Sequence, residues 1–210
     1  MEIRIKSAFS CDESVRPFLS EVLQGEYDIN VFLYGPKIVD LGANVGAFSV
    51  WASHRFPGCK IQAYEPNLKL IPELKNNLRF YPNVTVIPKG VGVPGVRTLH
   101  DGPNNPGEST LFQISGRGRL KGQEVEIIDP LQLPECDILK LDIEGAELEV
   151  LGPLLTAGRR PSVILYEFHN HPLREKLDEL LTKDYYLISA SVTNLQGLGV
   201  MKWLRKDLLA

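Results

Sequence analysis

A continuous apolar run, Lys37 to Leu41, ends in the turn Gly42-Ala43-Asn44-Val45-Gly46 and passes directly into a helical pattern from Ala47 to Arg55. A strand without polar alternation is buried on both faces, and only helices packed on both sides of a parallel sheet bury strands that way. The unit recurs along the chain. Residues 60–64, 84–88, 137–143 and 162–168 read as further apolar strands, and residues 68–81, 147–155 and 173–182 as the helices between or after them. The end differs: residues 185–192 and 200–205, joined by a polar turn at 194–199, read as an antiparallel hairpin. The rhythm predicts an α/β fold, a doubly wound and mostly parallel sheet closed by a C-terminal hairpin.

At 210 residues the chain fits one such domain with a sizeable core. Residues 1–36 form an N-terminal extension with a helical pattern over 14–23, where Val15, Phe18, Leu19 and Val22 share a face. Residues 89–122 interrupt the alternation with many Gly and Pro and short strands at 97–99 and 110–113, the pattern of a lid or substrate loop. Residues 125–128 read as a strand returning towards the sheet. A formal charge of −3 gives no general attraction to nucleic acid or to an anionic membrane. Cys11, Cys59 and Cys136 are widely spaced and odd in number, which indicates reduced thiols. With no long apolar run, the expectation is a cytoplasmic protein acting on a small molecule, its oligomeric state open between monomer and dimer.

The glycine turn specifies a ligand class. Glycines between a strand and its helix let a ligand approach the backbone, and the helix N-terminus offers free N–H groups. A dinucleotide site needs G-x-G-x-x-G, because its pyrophosphate lies on the helix start. Here Gly42 and Gly46 stand four apart behind Asp40, a carboxylate that repels pyrophosphate. S-adenosylmethionine carries an ammonium and a sulfonium, so Asp40 suits it. Glu65, at the end of the second strand, is placed to accept hydrogen bonds from two ribose hydroxyls.

Acids crowd the end of a later strand in Lys140-Leu141-Asp142-Ile143-Glu144-Gly145-Ala146-Glu147. Mutual repulsion makes such crowding costly unless a function uses it. Asp142 faces the ligand crevice and is the first candidate for contact with the reactive centre, with Lys140 two positions back to balance its charge. Glu144 and Glu147 are candidates for acceptor contact, whereas Glu149 reads as part of the exposed helix face. On the next strand Glu167 and His169 project to one side and form with Asp142 an Asp/Glu/His cluster. That cluster is a candidate general base or, as the same three residues, a magnesium site. Arg117 and Arg119 on the long loop read either as a solvated tip or as a clamp for an anionic acceptor.

Asp40, Gly42, Asn44, Gly46, Phe48 and Glu65-Pro66-Asn67 together resemble the cofactor motifs of class I S-adenosylmethionine-dependent methyltransferases. The stretch LKLDIEGAELEVL, with GESTL at 107–111, Asp129 and RPSVILYEFH at 160–169, is similar to the FkbM family over roughly residues 37–170. The resemblance implies a Rossmann-like, seven-stranded sheet and cofactor contacts from those residues, from Ser109 and from Asp142. It implies methyl transfer to a hydroxyl of a sugar, polyketide or other small metabolite; the strand-end positions make Asp142, Glu167 and His169 the candidate catalytic set. Two alternatives are a non-catalytic adenosine-binding module and a nicotinamide-dependent oxidoreductase.

Overall fold

The computed structural model describes residues 22, 25–100, 111, 122–192 and 198–209. Its main sheet is built from β1 (Lys37–Leu41), β2 (Lys60–Tyr64), β3 (Val84–Ile87), β7 (Ile138–Leu141), β8 (Val163–Phe168), β9 (Tyr185–Val192) and β10 (Gly199–Arg205). Their spatial order is β3-β2-β1-β7-β8-β10-β9. The first five run parallel, and β10 is antiparallel to both β8 and β9. This is the seven-stranded, doubly wound sheet with a terminal hairpin that the sequence predicts. All four residues of β7 are buried, as are five of the six in β8, which is why these strands show no polar alternation.

Among the described residues four helices cover the sheet: α1 (Ala47–Arg55), α2 (Ile71–Asn77), α3 (Glu147–Thr156) and α4 (His171–Leu181). Helix α2 is shorter than the apolar pattern over 68–81 suggests, because residues 68–70 and 78–80 are turns. Helix α4 starts earlier than expected. The Asn170 side chain accepts from the Leu173 N–H at 2.9 Å and caps it, so His171 is the first helical residue. On one face of the sheet Leu139, Leu141, Ile164 and Tyr166 pack against Leu151, Leu154 and Leu177; on the other Ile38, Ile138 and Leu165 pack against Phe48, Trp51 and Ala52.

The segment after β3 corrects one expectation. The strand at 125–128 does not return to the main sheet: it belongs to β6 (Gly122–Ile128), which lies between β4 (Gly90–Val91) and β5 (Gly95–His100) in a separate three-stranded sheet. Leu99, Val125 and Ile127 form its small core. Most of the long loop, residues 101–110 and 112–121, lies outside the described residues, and so do Ser109, Arg117 and Arg119. Cys59 and Cys136 are free thiols, and no described helix is long and apolar enough to cross a membrane.

Candidate active site

In parallel sheets ligands sit beyond the carboxyl ends of the strands, where the strand order reverses. That point lies between β1 and β7, which pair directly while their connections run to opposite edges. A crevice opens there, lined by Gly42, Asn44, Glu65, Pro66, Asp142 and Glu144 among others. The turn after β1 is tight: Gly42 has φ +76°, and a side-chain Cβ on it would lie 1.8 Å from the Asp142 carbonyl oxygen. Only glycine allows this turn to rest against the end of β7. Asn44, at φ 52°, also occupies the left-handed region and follows the same bend.

Glu65 is fixed by this turn. One carboxylate oxygen accepts from the Asn44 N–H at 2.7 Å and the other from the Asn67 N–H at 2.8 Å. Burial pushes its pKa up to about 7, against the lowering effect of these two hydrogen bonds. Asp40 stands behind the crevice wall and is fully buried. Ser49 Oγ donates to its Oδ2 at 2.7 Å, and Lys140 Nζ lies 3.3 Å from its Oδ1. Gly46 caps α1 with φ 92°, and Phe48 packs edge-on against Tyr27 at 5.2 Å. Among the described residues predicted to touch a cofactor, Gly42, Asn44, Glu65, Pro66 and Asp142 line the crevice, whereas Asp40, Gly46, Phe48 and Asn67 do not.

The second half of the site joins the ends of β7 and β8. His169 Nε2 lies 3.3 Å from a Glu144 carboxylate oxygen and 4.0 Å from one of Glu167. Ligand atoms of Asp142, Glu144 and His169 all fall within 4.8 Å of one another. Among the described residues the three that could share a cation are therefore Asp142, Glu144 and His169, with Glu144 in the place expected for Glu167. Burial lowers the His169 pKa, only partly opposed by Asp142, so the ring is neutral at pH 7. Burial first, then the charges of Asp142 and Glu26, hold Glu167 far above the usual carboxylate range and keep it protonated.

Two acidic residues of α3 depart from the sequence reading. Glu147, expected at the acceptor, is fully enclosed. Its carboxylate accepts from the N–H groups of Ile143 (3.4 Å) and Gly145 (3.3 Å), and burial pushes its pKa up to about 7. It closes the turn in which Glu144 takes φ 55° and Gly145 φ 105°. Glu149 is not a free surface acid: it accepts from Arg97 at 2.7 Å and from the Val93 N–H at 3.0 Å, tying the small sheet to α3.

Tyr27 is a site neighbour that sequence reasoning missed. It is buried over Lys140, whose Nζ lies 6.0 Å from the ring centre. Its only signal was an aromatic residue ahead of the first core strand. Lys89, Val91 and Leu99, from β3's end and the small sheet, also line the crevice.

The family model of the methyltransferase FkbM domain matches residues 40–188, from Asp40 at the glycine turn into β9. The chain belongs to this family. It is 33% identical to methyltransferase sdnD of Sordaria araneosa, over 60% of this chain and 62% of that protein. It is 25% identical to hexuronic acid methyltransferase AglP of Haloferax volcanii, over 70% of this chain and 64% of that protein. The chain thus spans less than two thirds of the length of these curated relatives. Among solved structures, precorrin-6y C5,15-methyltransferase of Geobacter metallireducens shares the fold at TM-score 0.58 and 15% identity, over 95% of both chains. Fibrillarin of Aeropyrum pernix, solved with natively bound S-adenosylmethionine, shares it at TM-score 0.53 and 12% identity, over 91% of this chain and 76% of that one. The FkbM methyltransferase domain therefore sits on a class I methyltransferase fold.

Proposed function

We propose that this FkbM domain transfers a methyl group from S-adenosylmethionine to a hydroxyl oxygen of a small acceptor, a sugar, polyketide or other metabolite. One observation carries the reading: Asp142 lines the same crevice as Gly42, Asn44 and Glu65 and also belongs to the group with Glu144 and His169. The first set would hold the donor and the second the acceptor, with Asp142 common to both. Glu65 would receive the ribose hydroxyls, the backbone of residues 42–44 the methionine part, and Pro66 the adenine. Asp40, Gly46, Phe48 and Asn67 would hold those contacts in place, and Ser109 is a further candidate donor contact.

In the transfer the acceptor oxygen forms a bond to the methyl carbon as the carbon–sulfur bond breaks in line. The hydroxyl proton must leave, and a secondary alcohol is a weak nucleophile without a base. Asp142 orients the hydroxyl, and the neutral His169 ring, steadied by Glu144, takes the proton. Protonated Glu167 serves as a hydrogen-bond donor beside them. The likeness to a hexuronic acid methyltransferase supports a saccharide acceptor, whose carboxylate Arg117 and Arg119 would receive.

A methyl-labelled S-adenosylmethionine assay across neutral and acidic sugars tests this. The wild-type chain labels at least one acceptor, and Asp142→Asn lowers turnover by about 100-fold or more while donor affinity stays within about threefold. Donor binding without transfer to any acceptor would instead indicate a non-catalytic adenosine-binding module. A second reading of the acceptor side has its own support in the 4.8 Å grouping of Asp142, Glu144 and His169: these residues would hold a magnesium ion, which would lower the pKa of the acceptor hydroxyl. Activity lost on dialysis against EDTA and restored by Mg²⁺ would select it.

A further inference from the structure

Lys140 is a lysine in the middle of the sheet, with 4% of its side chain exposed. Lysines are seldom this buried, because removing an ammonium from water costs several kcal/mol unless it is paired. Strand register explains where it points. Lys140 is the direct partner of Asp40 across the parallel pair β1–β7, and Asp142 follows two positions on, so all three face the same side of the sheet.

The ammonium has three N–H groups and four oxygens around it. It donates to the Gly42 carbonyl at 2.7 Å and lies 3.4 Å from that of Leu41. Asp40 Oδ1 is at 3.3 Å and Asp142 Oδ2 at 3.6 Å. The rings of Phe48 and Tyr27 close the remaining side at 5.9 and 6.0 Å. Burial alone disfavours its charge, but two carboxylates and two backbone carbonyls surround the nitrogen, a setting that favours the ammonium form. Neutralising Asp40 would need one contact. Lys140 also grips the carbonyl of the turn that faces the donor and the carboxylate that faces the acceptor.

We propose that Lys140 is a positioning residue that couples the donor-binding turn (residues 42–46) to the acceptor-side loop (residues 142–145). It fixes the two halves of the site relative to each other, so that occupancy of one orders the other. The inference rests on the methyltransferase reading given above. Gly42, whose missing Cβ lets the turn touch the Asp142 carbonyl, supplies the backbone contact; Lys140 supplies the polar one.

The single change Lys140→Met leaves Asp40 buried and uncompensated, which alone can unfold the chain. The test therefore compares Asp40→Asn with the double variant Asp40→Asn/Lys140→Met, in which both charges are gone and the core is neutral. The probe is S-adenosylhomocysteine, followed by calorimetry and by amide hydrogen exchange. In wild type the probe slows exchange in both segments, and in Asp40→Asn, which binds the probe more weakly, saturating probe still does so. In the double variant, with a melting temperature matching Asp40→Asn, it slows exchange at the turn only, and affinity falls about tenfold below that of Asp40→Asn. Probe-induced protection of residues 142–145 that persists in the double variant, at unchanged affinity, overturns the coupling and leaves Lys140 a neutraliser of Asp40. Absence of probe binding to the wild type overturns the methyltransferase reading itself, and this inference with it.

Discussion

Glu147 shows how one side chain can carry more structural than chemical weight. Its folded pKa of about 7 lies above the ordinary 4.5, so the fold prefers it protonated. The stability it contributes is fully present below about pH 4.5 and is lost as pH rises through about 7. Glu65 has the same sign and the same window. The ligand-free protein should therefore melt at a lower temperature at pH 8 than at pH 5. Glu147→Gln keeps an oxygen for the Ile143 and Gly145 N–H groups and removes the ionisation. Thermal melts should show its pH slope flattened, by an amount on the order of 3 kcal/mol at most. An unchanged slope would mean that Glu147 does not titrate in the fold. Strand-end acids such as Glu65 and Asp142 could be read from the sequence because a strand followed by a helix fixes where its last residue points. Enclosure of Glu147 could not, since it depends on how the turn at residues 143–145 folds back over α3. Tyr27 was hidden for a similar reason: its contacts are with Lys140 and Phe48, far along the chain.

At the level of elements, the small sheet stands beside the crevice and is fastened by polar contacts from more than one side. Gln123 on β6 donates to the Asn67 side chain at 2.6 Å and accepts from the Leu68 N–H at 3.2 Å, next to Glu65. Glu149 on α3 holds Arg97 and the Val93 N–H from the other side. Glu149→Ala removes an ion pair and a backbone acceptor together. Amides of residues 93–99 should then exchange faster by about tenfold, equivalent to about 1.4 kcal/mol of local stability, while the main sheet is unaffected. Equal protection in both proteins would show that Glu149 does not hold the sheet. Short strands at residues 97–99 and 125–128 were visible in the sequence, but β5 and β6 are longer and pair across residues 101–121. A period of two says which face of a strand is buried and not which sheet it joins. The parallel strands were easier to place, because each is bound to the helix that follows it and their order is narrowed by the few ways such units wind.

For the whole molecule, the order β3-β2-β1-β7-β8-β10-β9 brings Glu65, the glycine turn, Asp142 and His169 to one edge of the sheet from residues more than 100 positions apart in the chain. The contact between residue 42 and the Asp142 carbonyl is the tightest point of that assembly. Gly42→Ala must push β1's turn off β7, and it should abolish donor binding even where circular dichroism shows the fold retained. Calorimetry with S-adenosylhomocysteine on the wild type and on Glu65→Ala tests the central claim most directly, because it asks whether this crevice is the donor site. The wild type should bind in the micromolar range or tighter, and Glu65→Ala about 100-fold more weakly, the loss of two hydrogen bonds to a carboxylate. No saturable heat with the wild type, or equal affinity in the two proteins, would contradict the account.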